Sequence, residues 1–168
     1  MLRLLLFFFL AHFGLSPVLA AGPEDDPEEL LAAQYFREGR YAQAASIYQD
    51  LFRTSPTVVI YNNYLESLLF IEEFRRAEEV VRSQMRAHPN DIRYQVDLGW
   101  VYHRMGNSRQ HRRQMEGLIG DMEADLGQVV ELASAFEHRG FSDRALETYY
   151  RGRQLLGEQH PLHLRIAE

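Results

Sequence analysis

The hydrophobic residues of this chain recur every three or four positions in a series of short segments. This spacing places them on one face of an α-helix, and runs containing Gly, Pro, Asn or Asp separate the segments. The pattern predicts an all-α fold. Helices are predicted over residues 27–38, 41–54, 57–71, 74–87, 91–105, 108–121, 126–139 and 142–156.

The helical pattern itself repeats along the chain, which is the signature of stacked supersecondary units. Three series of matching positions recur at spacings of 33, 34 and 34 residues. The series are Ala44, Ala77, His111 and Ala145; Ala32, Leu65, Gly99 and Ala133; and Gly39, Glu72, Gly106 and Gly140. Small residues let paired helices approach closely, and glycine ends a helix by accepting a positive φ. We therefore expect four antiparallel helix pairs.

Two of the matching positions depart from the pattern. Glu72 stands where the other repeats have glycine, and His111 stands where they have alanine. The predicted helix that contains His111 also opens with a polar run, Arg-Gln-His-Arg-Arg-Gln. We interpret this run as a solvated basic face; looser local packing is the alternative.

The first twenty residues differ from the rest of the chain. Arg3 precedes an almost wholly apolar stretch from Leu4 to Leu15, and small residues follow up to Ala20. This order is typical of a cleaved secretory signal peptide, since a membrane anchor needs a longer apolar run. Residues 1–20 are therefore predicted to direct export to the periplasm or outside the cell, with an acidic leader over 21–26 and no membrane span after cleavage.

Composition narrows the choice of partners. The formal charge is −6 and all 18 basic residues are arginine, so the chain has neither a lysine-rich arm nor a strongly basic domain for nucleic acid. It has no cysteine, which excludes disulfides and thiol chemistry. No nucleic-acid partner is expected.

The C-terminal residues continue the repeat without completing it. The register of the earlier repeats places Ala167 at the first-helix position of a fifth unit, and the sequence ends at Glu168. We therefore expect the chain to be a fragment of a longer protein. The alternative is that residues 160–168 form a short cap.

Several segments carry a family resemblance. The pieces Tyr-Phe-Arg-Glu-Gly-Arg-Tyr-Ala-Gln-Ala at 35–44 and Leu-Gly-Trp-Val-Tyr-His-Arg-Met-Gly at 98–106, with Pro56 and Pro89 between repeats, resemble the tetratricopeptide repeat family. The resemblance implies a right-handed α-solenoid of about four repeats plus a partial fifth, within a domain over 27–168. The repeats would span 27–56, 57–90, 91–124, 125–159 and 160–168.

The resemblance also implies a concave groove, because first-helix positions of that family face a bound protein or peptide. The groove residues expected here are Phe36, Asn62, Glu66, Arg93, Val96, Trp100, His103 and Glu137. Trp100 is either an anchor for the partner or part of the core. A family clamp for a terminal carboxylate is not expected, because acidic residues such as Asp97 stand at some of its positions.

Catalytic motifs are not found in the sequence. The histidines lack the spacing of a zinc site, and no phosphate loop or nucleophile elbow occurs. We expect no enzyme activity, metal or cofactor. The leading hypothesis is an exported scaffold that binds a protein or peptide. The alternatives are an N-terminal docking module of a larger envelope enzyme or regulator, and self-association.

Overall fold

A computed structural model describes residues 26–157 of the chain. The described residues form eight α-helices and connecting turns, with no strand among them. The helices are α1 (Pro27–Arg37), α2 (Tyr41–Thr54), α3 (Val58–Phe70), α4 (Phe74–Ala87), α5 (Ile92–Arg104), α6 (Ser108–Gly120), α7 (Leu126–His138) and α8 (Ser142–Leu156). The predicted signal peptide and the partial fifth repeat lie outside the described residues.

The structure confirms the all-α fold and its eight helices, which pack as sequential antiparallel pairs. Each helix end lies within one residue of its predicted position. The extra predicted residues are those that cap the helices, such as Thr57 before α3 and Arg139 after α7. Hydrophobic spacing alone does not separate a cap from the first or last helical residue.

The turn inside each helix pair has the same geometry in all four pairs. Two positions after the last residue of the first helix, the backbone has a positive φ, which is 73° at Gly39, 60° at Glu72, 73° at Gly106 and 77° at Gly140. The next residue donates its backbone N–H to the carbonyl five positions earlier, as Arg40 does to Tyr35 at 2.8 Å and Asn107 does to Tyr102 at 2.9 Å. These are Schellman turns, and they reverse the chain tightly.

Side chains cap the first helix of every pair. Asp26, Thr57, Asp91 and Asp125 accept a hydrogen bond from a backbone N–H in the first turn of α1, α3, α5 and α7. These bonds satisfy donors that have no partner within the helix. Among the second helices only α6 has such a cap, from Asn107.

Small residues bring the paired helices together as predicted. Ala44, Ala77 and Ala145 are buried where α2, α4 and α8 meet their partners. In the third pair the larger His111 lies opposite the smallest possible residue, and its Nδ1 is 2.9 Å from the Gly99 carbonyl oxygen. A Cβ on Gly99 would also lie only 2.5 Å from Cε of Met115. Glycine at 99 thus leaves room for the Met115 side chain.

The buried side chains form two cores that share α5. Tyr94, Leu98 and Val101 of α5 belong to the core built with α1–α4. Val96, on another face of α5, belongs to the core built with α6–α8. The three arginines of the polar run at the start of α6 are exposed, as expected of a solvated face, whereas His111 and Gln114 in the same run are partly buried.

Among the described residues, no helix combines the length and the apolar character that a bilayer crossing requires.

Candidate functional site: a cleft on α3, α5 and α7

A cleft of about 270 Å³ opens between the first helices of the second, third and fourth pairs. Its apolar lining comes mainly from Val58 and Tyr61 of α3, Tyr94 of α5 and Ala135 of α7. Polar side chains complete the lining: Asn62, Arg93, Asp97, Glu131, Ser134, His138 and Arg139. We call this space the α3–α5–α7 cleft.

A buried ion pair lies at the base of the cleft. The Asp97 side chain is 6% exposed and the Arg139 side chain is 4% exposed, with Arg139 Nε donating to Asp97 Oδ1 at 2.5 Å. The Tyr61 hydroxyl donates to the other carboxylate oxygen at 2.7 Å. Both oxygens of Asp97 therefore have a donor, as a carboxylate inside a protein requires.

The Arg139 guanidinium reaches α3 as well as α5. It donates to Asn62 Oδ1 at 3.0 Å and lies 3.6 Å from the Glu66 carboxylate. Arg139 follows the end of α7, so one side chain joins three first helices. We call Tyr61, Asn62, Glu66, Asp97 and Arg139 the buried network.

The environment of Tyr61 keeps its hydroxyl protonated. Burial, followed by the adjacent Asp97 carboxylate, raises the pKa of Tyr61 well above its ordinary value. The phenol therefore remains a hydrogen-bond donor to Asp97 rather than becoming a second anion beside it.

Trp100 contacts the buried network through Arg139. The centroid of its ring is 4.2 Å from Arg139 Cζ and 5.8 Å from Arg104 Cζ, so two guanidinium groups make cation–π contacts with it. Trp100 is partly buried and packs against the first core. It thus contacts both the first core and the Arg139 side chain, and its role as an anchor for a partner stays a prediction.

Aromatic contacts extend from Trp100 across the ends of α1 and α3. Arg104 Cζ lies 5.4 Å from the Phe70 ring, and Phe70 stacks on Tyr41 at 4.1 Å and meets Phe36 edge-on at 6.2 Å. Phe70 is 46% exposed, so this row of rings reaches the surface.

The mouth of the cleft carries charges of both signs. Arg93 is held by Asp91, with its Nε at 2.9 Å and its other donating nitrogen at 2.6 Å from the carboxylate. The Arg93 hydrogen bond lowers the pKa of Asp91, which stays ionised as the N-cap of α5. Exposed Glu131, Ser134 and His138 of α7 lie opposite.

The structure brings some of the predicted groove residues together. Asn62 and Arg93 line the cleft, while Glu66 and Trp100 contact Arg139 beside it. Phe36 lies farther away in the aromatic row, although still on a first helix.

The other three predicted groove residues lie elsewhere. Val96 is 0% exposed in the second core, so it cannot contact a partner. Two faces of α5 are buried, and Val96 occupies the second of them. His103 is exposed beside His111 and Phe141, and exposed Glu137 is 3.5 Å from the Tyr149 hydroxyl of α8.

Sequence reasoning missed the central residues of the site. Tyr61 and Arg139 were not among the expected groove residues, and Asp97 was considered only as an obstacle to a carboxylate clamp. An acid next to the apolar positions Val96 and Leu98 was the one available signal, because a buried acid requires a cation nearby.

The chemistry of the cleft suits binding of an apolar group. Its buried charges satisfy one another, which leaves the tyrosine rings, Val58 and Ala135 as the main contact surface. Between Asp26 and Gly157, no group of three His, Asp or Glu side chains is arranged to hold a metal ion.

No protein-family model matches the chain, and no curated protein shows significant similarity to it.

Proposed function

We propose that this chain is an exported tetratricopeptide-type scaffold that binds a segment of another protein in the α3–α5–α7 cleft. The fold part of the proposal is a right-handed solenoid of four repeats with a partial fifth. It is supported by four Schellman turns of one geometry, spaced 33 or 34 residues apart, and by the sequence resemblance described above. Export is inferred from the basic and apolar start of the chain.

The apolar cleft carries the binding proposal. Its volume of about 270 Å³ is slightly below the range of roughly 300–1,000 Å³ typical of small-molecule sites. That space suits one or two side chains of a peptide. An apolar or aromatic anchor would contact Tyr61 and Tyr94, and the polar groups at the mouth would bond to the peptide backbone on either side.

The buried network explains why such a cleft would keep its shape. Arg139 holds α3, α5 and the end of α7 at fixed separations through Asn62, Asp97 and Glu66. A preformed cleft loses less entropy when it binds than one that must first be ordered.

A cleft-filling variant tests this function. Ser134 is exposed on α7 and lines the cleft, so Ser134→Trp should occupy the space without entering either core. Ser46 is an exposed serine on α2 that does not line the cleft, and Ser46→Trp is the matched control. Peptides selected from a random library on the full chain would be measured against all three proteins by fluorescence polarisation.

We expect the selected peptides to share an apolar or aromatic residue and to bind Ser134→Trp at least tenfold more weakly than the parent chain. Binding to Ser46→Trp should be unchanged. Peptides that bind Ser134→Trp and the parent equally would place any binding surface outside the cleft. Circular dichroism of each variant would show that the helices remain.

A further inference from the structure

Two histidines that are eight positions apart in the sequence meet at the end of the third helix pair. His103 is in the last turn of α5 and His111 is in α6, and their ring centroids are 5.1 Å apart. Both rings contact Phe141, with ring centroids 5.5 Å away for His103 and 5.2 Å away for His111. They line a second cleft, separate from the α3–α5–α7 cleft, of about 300 Å³.

The hydrogen bonding of His111 fixes which of its nitrogens is available. Its Nδ1 is 2.9 Å from the Gly99 carbonyl oxygen, and a carbonyl only accepts, so Nδ1 carries the proton. Nε2 then keeps its lone pair. Histidines that bind metals are commonly oriented by this same bond from the other ring nitrogen to a backbone carbonyl.

The surroundings provide a second ligand and tolerate a cation. His103 is exposed, and in the described part of the chain its ring makes no hydrogen bond. Asp143 lines the same cleft, as does Arg144, which donates to Glu147 Oε2 at 2.6 Å. The positive charge of Arg144 is thus offset by a neighbouring carboxylate.

We propose that His103 and His111 form a binding site for one divalent transition-metal ion, with water completing its coordination. Two neutral imidazoles favour Cu²⁺, Ni²⁺ and Zn²⁺ over the oxygen-preferring Mg²⁺ and Ca²⁺. The expected order is Cu²⁺ tightest, followed by Ni²⁺ and Zn²⁺. A bound ion would link the end of α5 to α6 beside the Phe141 turn.

Trp100 provides a direct readout. It is the single tryptophan of the chain and lies one helical turn before His103, so Cu²⁺ bound at this site should quench its fluorescence. The experiment titrates the full chain with Cu²⁺ and repeats the titration with an excess of Mg²⁺. We expect saturation near one equivalent and no effect of Mg²⁺.

Histidine variants decide whether this pair is the site. His103→Ala and His111→Ala should each raise the Cu²⁺ concentration at half-quenching at least tenfold, whereas His88→Ala should leave it unchanged. Since His103 is exposed, its replacement tests the site even where His111→Ala perturbs the helix pair. The double variant His160→Ala/His163→Ala should also bind as the parent does.

Three results would overturn the proposal. One is quenching that never saturates in the parent chain. Another is unchanged quenching in His103→Ala, which would leave the two imidazoles with a packing role only. The last is loss of quenching in His160→Ala/His163→Ala alone, which would assign the metal to those residues.

Discussion

At the scale of single residues, the most consequential interaction is the ion pair between Asp97 and Arg139. Each side chain is almost completely removed from water, so each charge depends on the other and on Tyr61 and Asn62 for its solvation. A pair of this kind adds little stability compared with well-packed apolar residues. Losing one partner nevertheless destabilises the protein, because the other charge stays buried. The pair also joins helices that are far apart in the sequence.

Removing one partner should therefore destabilise the protein more than removing both. We expect Asp97→Ala or Arg139→Ala to lower the free energy of unfolding by about 3–5 kcal/mol. The double variant Asp97→Leu/Arg139→Met should recover a large part of that loss, because it leaves no buried charge without a partner. Urea unfolding monitored by circular dichroism measures the stability of the single and double variants. It avoids Trp100 fluorescence, which the Arg139 contact itself influences.

Equal losses in the single and double variants would contradict this account. They would mean that Arg139 acts through its contact with Trp100 or through packing rather than through its charge.

At the scale of elements, the helices and turns could be predicted from the local sequence, whereas the contacts between distant helices could not. The helix bounds could be predicted because apolar spacing and glycine positions are local signals. The buried network could not, because Asn62 and Arg139 are 77 positions apart and nothing in the sequence reports their proximity. Val96 shows a related failure, since a position assigned to the groove by repeat register faces the second core instead.

Glu72, in the turn of the second pair, has a strained backbone, as its place at a position where the other repeats have glycine indicated. Glu72 has φ of 60°, in the left-handed region where a side chain is strained by about 1–2 kcal/mol. The glycines at the other three turns avoid that cost.

Replacing this residue should stabilise the turn. We expect Glu72→Gly to raise the free energy of unfolding by about 1 kcal/mol, and Gly106→Glu to lower it by a similar amount. Gly106 has a φ of 73° and open space where a Cβ would lie, so the change there is conformational rather than steric. Thermal unfolding monitored by circular dichroism compares the two. A lower melting temperature for Glu72→Gly would show that the Glu72 side chain makes a contact worth more than the strain.

At the scale of the whole molecule, the two cores divide the chain into halves that share one helix. The second core contains only residues from α5 onward, and α1 packs against α2 and α3. Contacts of this kind are between near neighbours in the chain. Where helix pairs pack in sequence order, stability is close to a sum of unit and interface terms, so damage at one end need not unfold the other.

A substitution in the first pair tests how far the halves are independent. Ala44 is fully buried where α1 meets α2. Ala44→Arg would overfill that contact and bury a charge, so it should lower the free energy of unfolding by more than the roughly 1–3 kcal/mol typical of inserted methylenes. We expect amide exchange in α1 and α2 to accelerate by a factor of ten or more, since each tenfold change corresponds to a loss of about 1.4 kcal/mol in stability. Exposed Ala42 on α2 offers the matched control Ala42→Arg, which should exchange as the parent does.

Amide exchange in α7 and α8 shows whether the two halves of the chain unfold independently or together. If amides there keep their protection in Ala44→Arg, the second core holds its helices without the first pair. A uniform loss of protection from α1 to α8 would instead show one cooperative unit, which the Arg139 contacts to Asn62 and Glu66 would explain because they tie α7 to α3. Combining Ala44→Arg with Asp97→Leu/Arg139→Met separates these cases. If the network carries the coupling, removing it should confine the faster exchange to the first half of the chain.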